Sequence, residues 1–230
     1  MKSVLITGAN RGIGLELTRD RLAHGDSVIA CTRDPDNGAA LDGLHGAHRA
    51  TMDRLTLNVV DAASVFALCS SVGERPIDVL VANAGIIGPE RQSTLDMDYE
   101  GWADTFAVNT MGPLRVVQAL LPNLRRAPHA LVMIVSSQMG SMTSASSDRL
   151  AYRASKAAVN KVAQALASDF KPMGIAVIAV HPGWVRTDMG GAQAPLSPTE
   201  SARGLSRLID ETGLERTGQF INVDGAQLGW

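Results

Sequence analysis

Tyr152 and Lys156 stand four residues apart in Ala-Tyr-Arg-Ala-Ser-Lys, at the start of a stretch of strong helical character. Residues four apart share one face of a helix. A phenol with its ordinary pKa of about 10 is a poor acid or base near neutrality, and an ammonium group beside it favours the phenolate and lowers that value. The pair is suited to moving a proton at an alcohol or carbonyl oxygen. Alone, a Tyr and a Lys at this spacing describe a solvated helix face equally well. Three other segments add weight to the chemical reading.

Ser3-Val4-Leu5-Ile6 is a short apolar run followed by Thr7-Gly8-Ala9-Asn10-Arg11-Gly12-Ile13-Gly14 and then an amphipathic helical stretch. Strand, glycine-rich turn and helix is the context in which such a motif brings backbone close to a pyrophosphate, with the helix N-terminus facing the anion. A tight strand-to-helix turn without a ligand would read the same. The spacing Gly-x-x-x-Gly-x-Gly differs from the Gly-x-Gly-x-x-Gly of the common dinucleotide fingerprint. Val79-Leu80-Val81-Ala82 runs into Asn83-Ala84-Gly85, where Asn can bond neighbouring backbone and Gly permits close approach of a ligand. Leu131–Val135 ends in Ser136-Ser137, shortly before Tyr152. Ser137 is placed either to hold a substrate carbonyl or simply to cap a turn.

The elements that would position these residues alternate along the chain. Apolar runs predict strands near Val4–Ile6, Val28–Cys31, Leu55–Asn58, Val79–Ala82, Leu131–Val135, Ala176–Val180 and Phe220–Val223. Helices are expected near Gly12–His24, Asp36–Leu44, Ala62–Arg75, Tyr99–Arg126, Leu150–Lys171 and Pro198–Glu211. Continuously apolar strands separated by helices indicate an α/β fold: a doubly wound parallel sheet of about seven strands with helices on both faces. Ligands of such sheets bind at the carboxyl ends of the strands, where all the motifs above fall. No linker or repeat interrupts the pattern, so residues 1–230 are expected to form a single dinucleotide-binding and catalytic domain. The stretch Gly190–Pro198 is either a substrate lid or a plain connector.

The formal net charge of −2 and the lack of a basic run predict no nucleic-acid partner and no anionic membrane surface. Cys31 and Cys69 lie in apolar stretches, as buried free thiols of a reducing, cytoplasmic compartment would. The five histidines show no metal-ligand spacing, so no metal site is expected. There is no signal-peptide pattern and no apolar run long enough to span a membrane.

Thr-Gly-x-x-x-Gly-x-Gly, Asn-Ala-Gly, Ser and Tyr-x-x-x-Lys, in this order, resemble the short-chain dehydrogenase/reductase family over essentially the whole chain. His181–Gly191 and the terminal Trp230 resemble most closely the C-factor and sniffer-type carbonyl reductases. The resemblance implies a Rossmann-type fold and hydride transfer between NADP(H) and a carbonyl or alcohol substrate. It assigns Tyr152 as general acid/base and Lys156 as the group that lowers its pKa and bonds the nicotinamide ribose. Ser137 would orient the substrate oxygen, and Asn109, in Phe106-Ala107-Val108-Asn109-Thr110, would support a water-mediated proton path through Lys156. A mid-helix Asn is unfavourable and so invites a reason. Ser137 and Tyr152 are slightly farther apart than in the family, which lengthens the loop Met139–Arg149 beside the substrate.

For the cofactor, the resemblance points to Gly8, Asn10, Arg11, Gly12 and Ile13 in the first turn, and to Asn83, Ala84 and Gly85. It also points to Asn58 and Val59, where the family usually carries Asp-Val at the adenine. Pro182, Gly183, Val185 and Thr187 fall in the segment that holds the nicotinamide amide. NAD-preferring relatives tend to carry an acid where this chain has Thr32. Arg33 and Arg11 together suit a 2′-phosphate, since guanidinium matches phosphate geometry. Asp34 as a ribose-binding acid would instead favour NAD, but a residue preceding Pro35 has the more ordinary task of a helix cap. NADP is expected, with NAD the alternative. His181 reads as a packed core histidine.

A homodimer is expected through the helices near Tyr99–Arg126 and Leu150–Lys171. Ala157, Ala158, Val159, Val162, Ala163, Ala165 and Leu166 suggest more apolar surface than a sheet contact requires, though alanines are also simply good helix formers. A nucleotide-binding signalling protein of the C-factor type, with little turnover, is the alternative function. The intact Ser-Tyr-Lys set favours the enzyme.

Overall fold

The computed structural model describes residues 1–34, 39–143 and 145–230. Seven parallel strands form one sheet in the order β3-β2-β1-β4-β5-β6-β7, with β1 Ser3–Thr7, β2 Ser27–Thr32, β3 Met52–Thr56, β4 Val79–Ala82, β5 Leu131–Val135, β6 Ala176–His181 and β7 Phe220–Asn222. The chain winds outward from β1 to β3, returns to β4 beside β1, and continues to β7. The reversal between β1 and β4 is the switch point at which such sheets open a crevice.

Alternate residues of each strand supply opposite faces. Leu5, Ile29, Leu80, Val132, Ile134 and Val177 pack on one face with residues of α3 (Ala62–Val72), α5 (Gly112–Ala119) and α7 (Leu150–Phe170). Val4, Ile6, Val28, Val81, Met133 and Ile178 pack on the other with Leu17 of α1 (Gly12–Ala23) and Leu205 and Ile209 of α8 (Pro198–Glu211). Buried Arg21 joins α1 to α8, donating to Asp26 and to the Ser206 hydroxyl (2.9 Å) and Asp210 (2.8 Å).

Three expected elements need correction. The third strand is Met52–Thr56 rather than Leu55–Asn58. Its register against β2 starts at Val28 and Met52, and the polar Asp53 and Arg54 are tolerated because β3 is an edge strand. The helix expected near Asp36–Leu44 is α2, Ala39–Ala47; Pro35 and Asp36 lie outside the described residues. The single long helix expected over Tyr99–Arg126 is broken into α4 (Tyr99–Phe106), a π-helical turn Ala107–Met111, α5, and α6 (Leu121–Leu124). Pro113 and Pro122 lie in the first turns of α5 and α6, where their missing N–H groups cost least.

Much of the apolar surface assigned to a partner is already used within the chain. Val159, Ala163 and Leu166 are buried under α7, which leaves half-buried Ala157, Ala158 and Val162 and exposed Ala165. Among the described residues no helix is long and apolar enough to cross a membrane.

Candidate active site

The glycine turn is built for close approach. A β-carbon on Gly14 would sit 2.2 Å from the Gly8 carbonyl oxygen and 2.6 Å from Asn83 Nδ2, so only hydrogen fits there. Gly8 and Gly12 have φ of 67° and 55°, where a side chain is strained. Helix α1 starts at Gly12 with no acidic residue in its first turn and no side-chain cap from Arg11. Its leading N–H groups and positive end therefore face outward, as an anion requires.

The turn is fastened to β4 by Thr7, a residue to which sequence reading gave no role. The Thr7 hydroxyl accepts from the N–H groups of Asn83 and Ala84, each at 3.0 Å. Asn83 Nδ2 donates back to the carbonyls of Thr7 (2.9 Å) and Gly8 (3.1 Å). Asn83 thus holds the two strand ends together.

Ser137 follows β5 and caps the short 3-10 turn Gln138–Gly140 by accepting from Met139 N at 3.1 Å. Capping uses one lone pair and leaves the hydroxyl proton for the bond to the Tyr152 side chain. A β-carbon on Gly140 would lie 2.6 Å from the Lys156 carbonyl carbon, and that close packing seats the Ser137 turn on α7. Ser137, Tyr152 and Lys156 are 6%, 7% and 5% exposed, and the Tyr152 side chain bonds Ser137 and lies near Lys156 Nζ, so the three polar groups share one sheltered spot.

Lys156, expected to lower the Tyr152 pKa, is buried beside it. Lys156 Nζ donates to the Val135 carbonyl at 2.8 Å and lies 5.7 Å from the centre of the Tyr152 ring. Burial raises the Tyr152 phenol above its usual pKa, while Ser137 and the charge of Arg149 pull it the other way. Burial also pushes Lys156 down to about 8. The phenol is therefore held protonated at neutral pH, the form in which a general acid starts.

Asn109 sits in the π-helical turn and reaches the same region. Its Oδ1 accepts from Ile86 N (2.8 Å), and its Nδ2 donates to Ile86 O (2.8 Å) and Ser155 Oγ (3.0 Å). Ser155 in turn donates to Tyr152 O at 2.7 Å, tying Asn109 to the Tyr152 turn of α7. Sequence reading missed Ser155; a polar hydroxyl between Tyr152 and Lys156 on a buried face was the available signal. A β-carbon on Gly85 would lie 3.2 Å from Asn109 Oδ1 and 3.7 Å from Lys156 Nζ, so Gly85 borders both.

The remaining cofactor candidates are spread along the carboxyl edge. Ala9 N donates to Cys31 O at 3.0 Å, bringing the glycine turn beside the end of β2. Asn10 and Ile13 are half-buried in the turn and the start of α1. Buried Thr32 spends its hydroxyl on the Asp34 carbonyl at 3.2 Å, and Arg33 is exposed beyond it. Arg11 forms an exposed ion pair with Asp188 at 2.5 Å, a contact across the sheet edge that sequence reading did not foresee. Asn58 lies in the loop after β3, its N–H donating to Ser64 Oγ at 2.8 Å. Val59 is buried, and its carbonyl accepts from Arg115 at 2.7 Å.

Pro182 is buried, and its carbonyl accepts from Ser201 Oγ at 2.7 Å. Gly183 has φ of 86°, and a β-carbon there would meet Leu196 at 2.4 Å. Val185 is buried and bridges to Leu196, while a β-carbon on Gly12 would come within 3.2 Å of Thr187. That last approach closes the ring from the glycine turn to the segment after β6. The stretch Gly190–Pro198 folds back on itself, with Arg186 donating to the carbonyls of Ala194 (2.8 Å) and Pro195 (2.7 Å). His181 is half-buried, and burial pushes its pKa down to about 4, so it is neutral at ordinary pH.

The short chain dehydrogenase family model matches residues 2–196. C-signal of Myxococcus xanthus is 42% identical over 166 residues, which is 71% of this chain and 99% of that protein. Among solved structures, the NADPH-bound carbonyl reductase from chicken fatty liver superposes with a TM-score of 0.94 at 32% identity, covering 100% of this chain and 99% of the other. Carbonyl reductase Sniffer of D. melanogaster superposes with a TM-score of 0.91 at 30% identity over 100% of both. The matched span holds the glycine turn, Asn83, Ser137, Tyr152 and Lys156, and the chain belongs to the short-chain dehydrogenase/reductase family.

Proposed function

We propose that residues 1–230 form one catalytic and cofactor-binding unit that reduces a small carbonyl compound, or oxidises the matching alcohol, with NADP(H). The observation that carries this reading is the shared burial of Ser137, Tyr152 and Lys156 beside a turn that only glycine can make. Gly8, Asn10, Gly12 and Ile13 would receive the pyrophosphate at the start of α1. Arg11 and Arg33 would take the 2′-phosphate, Asn58 and Val59 the adenine. Asn83, Ala84 and Gly85 would line the crevice floor, and Pro182, Gly183, Val185 and Thr187 the nicotinamide side. The bound cofactor would supply or accept the hydride.

The chain's own residues do the rest. Ser137, whose hydroxyl bonds the Tyr152 side chain, would turn its proton to the substrate oxygen and fix its position. Tyr152 gives that oxygen a proton as negative charge develops on it, which is worth most where water is excluded. Lys156 supplies positive charge 5.7 Å from the ring and stabilises the phenolate left behind. Asn109 holds the Ile86 backbone and Ser155, keeping Tyr152 in place. Purified protein with NADPH and a panel of aldehydes and ketones tests the reading: oxidation of NADPH that depends on the carbonyl is expected, and none with any member would reject it.

A preference for NADPH over NADH is expected, carried mainly by Arg33. Charge-assisted hydrogen bonds are worth about 1.5–3 kcal/mol, so Arg33→Ala should lose on the order of tenfold or more in NADPH affinity and little in NADH affinity. Titration of both cofactors into both proteins measures this, and equal affinities in the wild type would assign NAD instead. The exposed Arg11–Asp188 pair holds Arg11 only weakly, since such pairs contribute about 0–1 kcal/mol.

The identity to C-signal supports a second reading, a nucleotide-binding signalling protein with little turnover. The intact proton-transfer residues favour the enzyme. Buried Cys31, its thiol pushed up to about 12, suits the reducing conditions of a cytoplasmic protein. A homodimer would use the half-buried face of α7 and its neighbour α4, with exposed Tyr99 and Met111 nearby in sequence on the α4–α5 run. Sedimentation at micromolar concentration should give twice 24.2 kDa; a single-chain mass would end the dimer reading.

A further inference from the structure

An open cleft of about 550 Å³ lies between the loop after β4 and the start of α7, lined by residues that include Ile87, Pro89, Arg91, Gln92 and Arg149. None of these has a cofactor role. Gln92 ties the cleft wall to the backbone of the Tyr152 turn. Its Oε1 accepts from Tyr152 N at 3.1 Å, and its carbonyl accepts from Leu150 N at 2.9 Å. Its Nε2 donates to Ile87 O (3.1 Å) and Pro89 O (2.6 Å) in the opposite wall.

Arg149 breaks three local rules at the mouth of this cleft. It is the one non-glycine residue with positive φ among the described residues, at 51°. It occupies the N-cap of α7 without making a side-chain cap bond. It also places a cation at the positive end of a helix, where the dipole opposes it. Asp148, its neighbour, is bound to Arg153 at 2.7 Å, and Arg91 is paired with Asp96 at 3.0 Å. Among the described residues Arg149 has no carboxylate partner. Violations gathered on one residue beside a reactive group are where function overrides local preference.

We infer that Arg149 selects the substrate: the cleft takes the carboxylate of an anionic carbonyl compound, held by the Arg149 guanidinium while the carbonyl lies at Tyr152. The inference rests on the carbonyl reductase reading above and adds the substrate class. Arg149 stands three positions before Tyr152, and the charge of Arg149 is felt at the phenol. A planar guanidinium matches a carboxylate in two parallel hydrogen bonds. Glu90, also on the cleft wall, opposes a second negative group and so favours a monoanion.

The test compares phenylglyoxylate with its methyl ester, which differ in the charge beside one carbonyl. kcat and KM are measured with saturating NADPH for wild type, Arg149→Gly and Arg149→Lys, and binding of the acid is followed by calorimetry. Glycine suits the φ of 51° and keeps the turn, so loss of folding is not expected. The wild type should prefer the acid. Arg149→Gly should raise KM for the acid about 10- to 100-fold, weaken its binding to match, and leave KM for the ester unchanged, while loss of the Arg149 charge from the phenol changes kcat equally for both. Arg149→Lys should recover part of the loss. Equal wild-type use of acid and ester, or an equal effect of Arg149→Gly on both KM values, overturns the inference. Binding of the acid that depends on Arg149, with no carbonyl turned over, supports the cleft assignment and rejects the reductase reading instead.

Discussion

Tyr152→Phe is expected to keep cofactor affinity and thermal stability near wild type and to lower kcat by about 10²–10⁴-fold. The ring is 7% exposed, and phenylalanine fills the same space. What disappears is one hydroxyl, whose proton burial holds in place at neutral pH. Lys156 does not replace it by geometry, because its Nζ is turned to the Val135 carbonyl. Ser137 keeps its cap bond to Met139 in the variant and can still orient a carbonyl oxygen. Binding and chemistry should therefore separate, with KM little changed. Steady-state kinetics and cofactor titration on the two proteins check this, and near-normal turnover in Tyr152→Phe would place the proton donor elsewhere.

The sequence made most of the scaffold legible because the central strands of a doubly covered sheet are apolar throughout. β1, β4 and β5 lie where their runs place them, and each ends at a motif. The edge strand β3 escaped, since Asp53 and Arg54 interrupt the run and only pairing with β2 reveals it. The break of the long helix was written in Pro113 and Pro122, but the π-helical turn that aims Asn109 inward was not. That turn depends on Ile86 accepting and donating to the Asn109 amide across a loop. The Arg11–Asp188 pair joins residues 177 apart, a contact no local pattern encodes. The net shift of Tyr152 was not legible in the sequence for a related reason. Spacing places Lys156 on the same helix face, but the depth of burial and the competing Val135 carbonyl decide what the ammonium does.

Lys156→Met is expected to make the cofactor-free protein more stable and nearly inactive. Burial holds Lys156 near 8 in the folded protein, against about 10.4 for an unfolded lysine. Between those values the unfolded chain binds more protons than the native one, so stability rises with pH across that window. Below pH 8 lysine is protonated in both states, and the full cost of the buried charge, up to about 3 kcal/mol, is present. Methionine carries no charge and fills a similar volume. The variant does forfeit the 2.8 Å bond to Val135, which returns roughly 1 kcal/mol to the wild type. A net gain of about 1–2 kcal/mol is expected at pH 7, narrowing as pH rises above 8 and the wild-type ammonium loses its proton. Turnover should fall by about 10²-fold or more, because the charge that stabilises the phenolate left on Tyr152 is gone. Urea unfolding of both proteins without cofactor, at pH 7 and near pH 10, together with kcat, measures both sides. A variant less stable than wild type at pH 7 would mean that the Val135 bond outweighs the buried charge. The burial of Lys156 would then be a stabilising feature rather than a cost retained for catalysis.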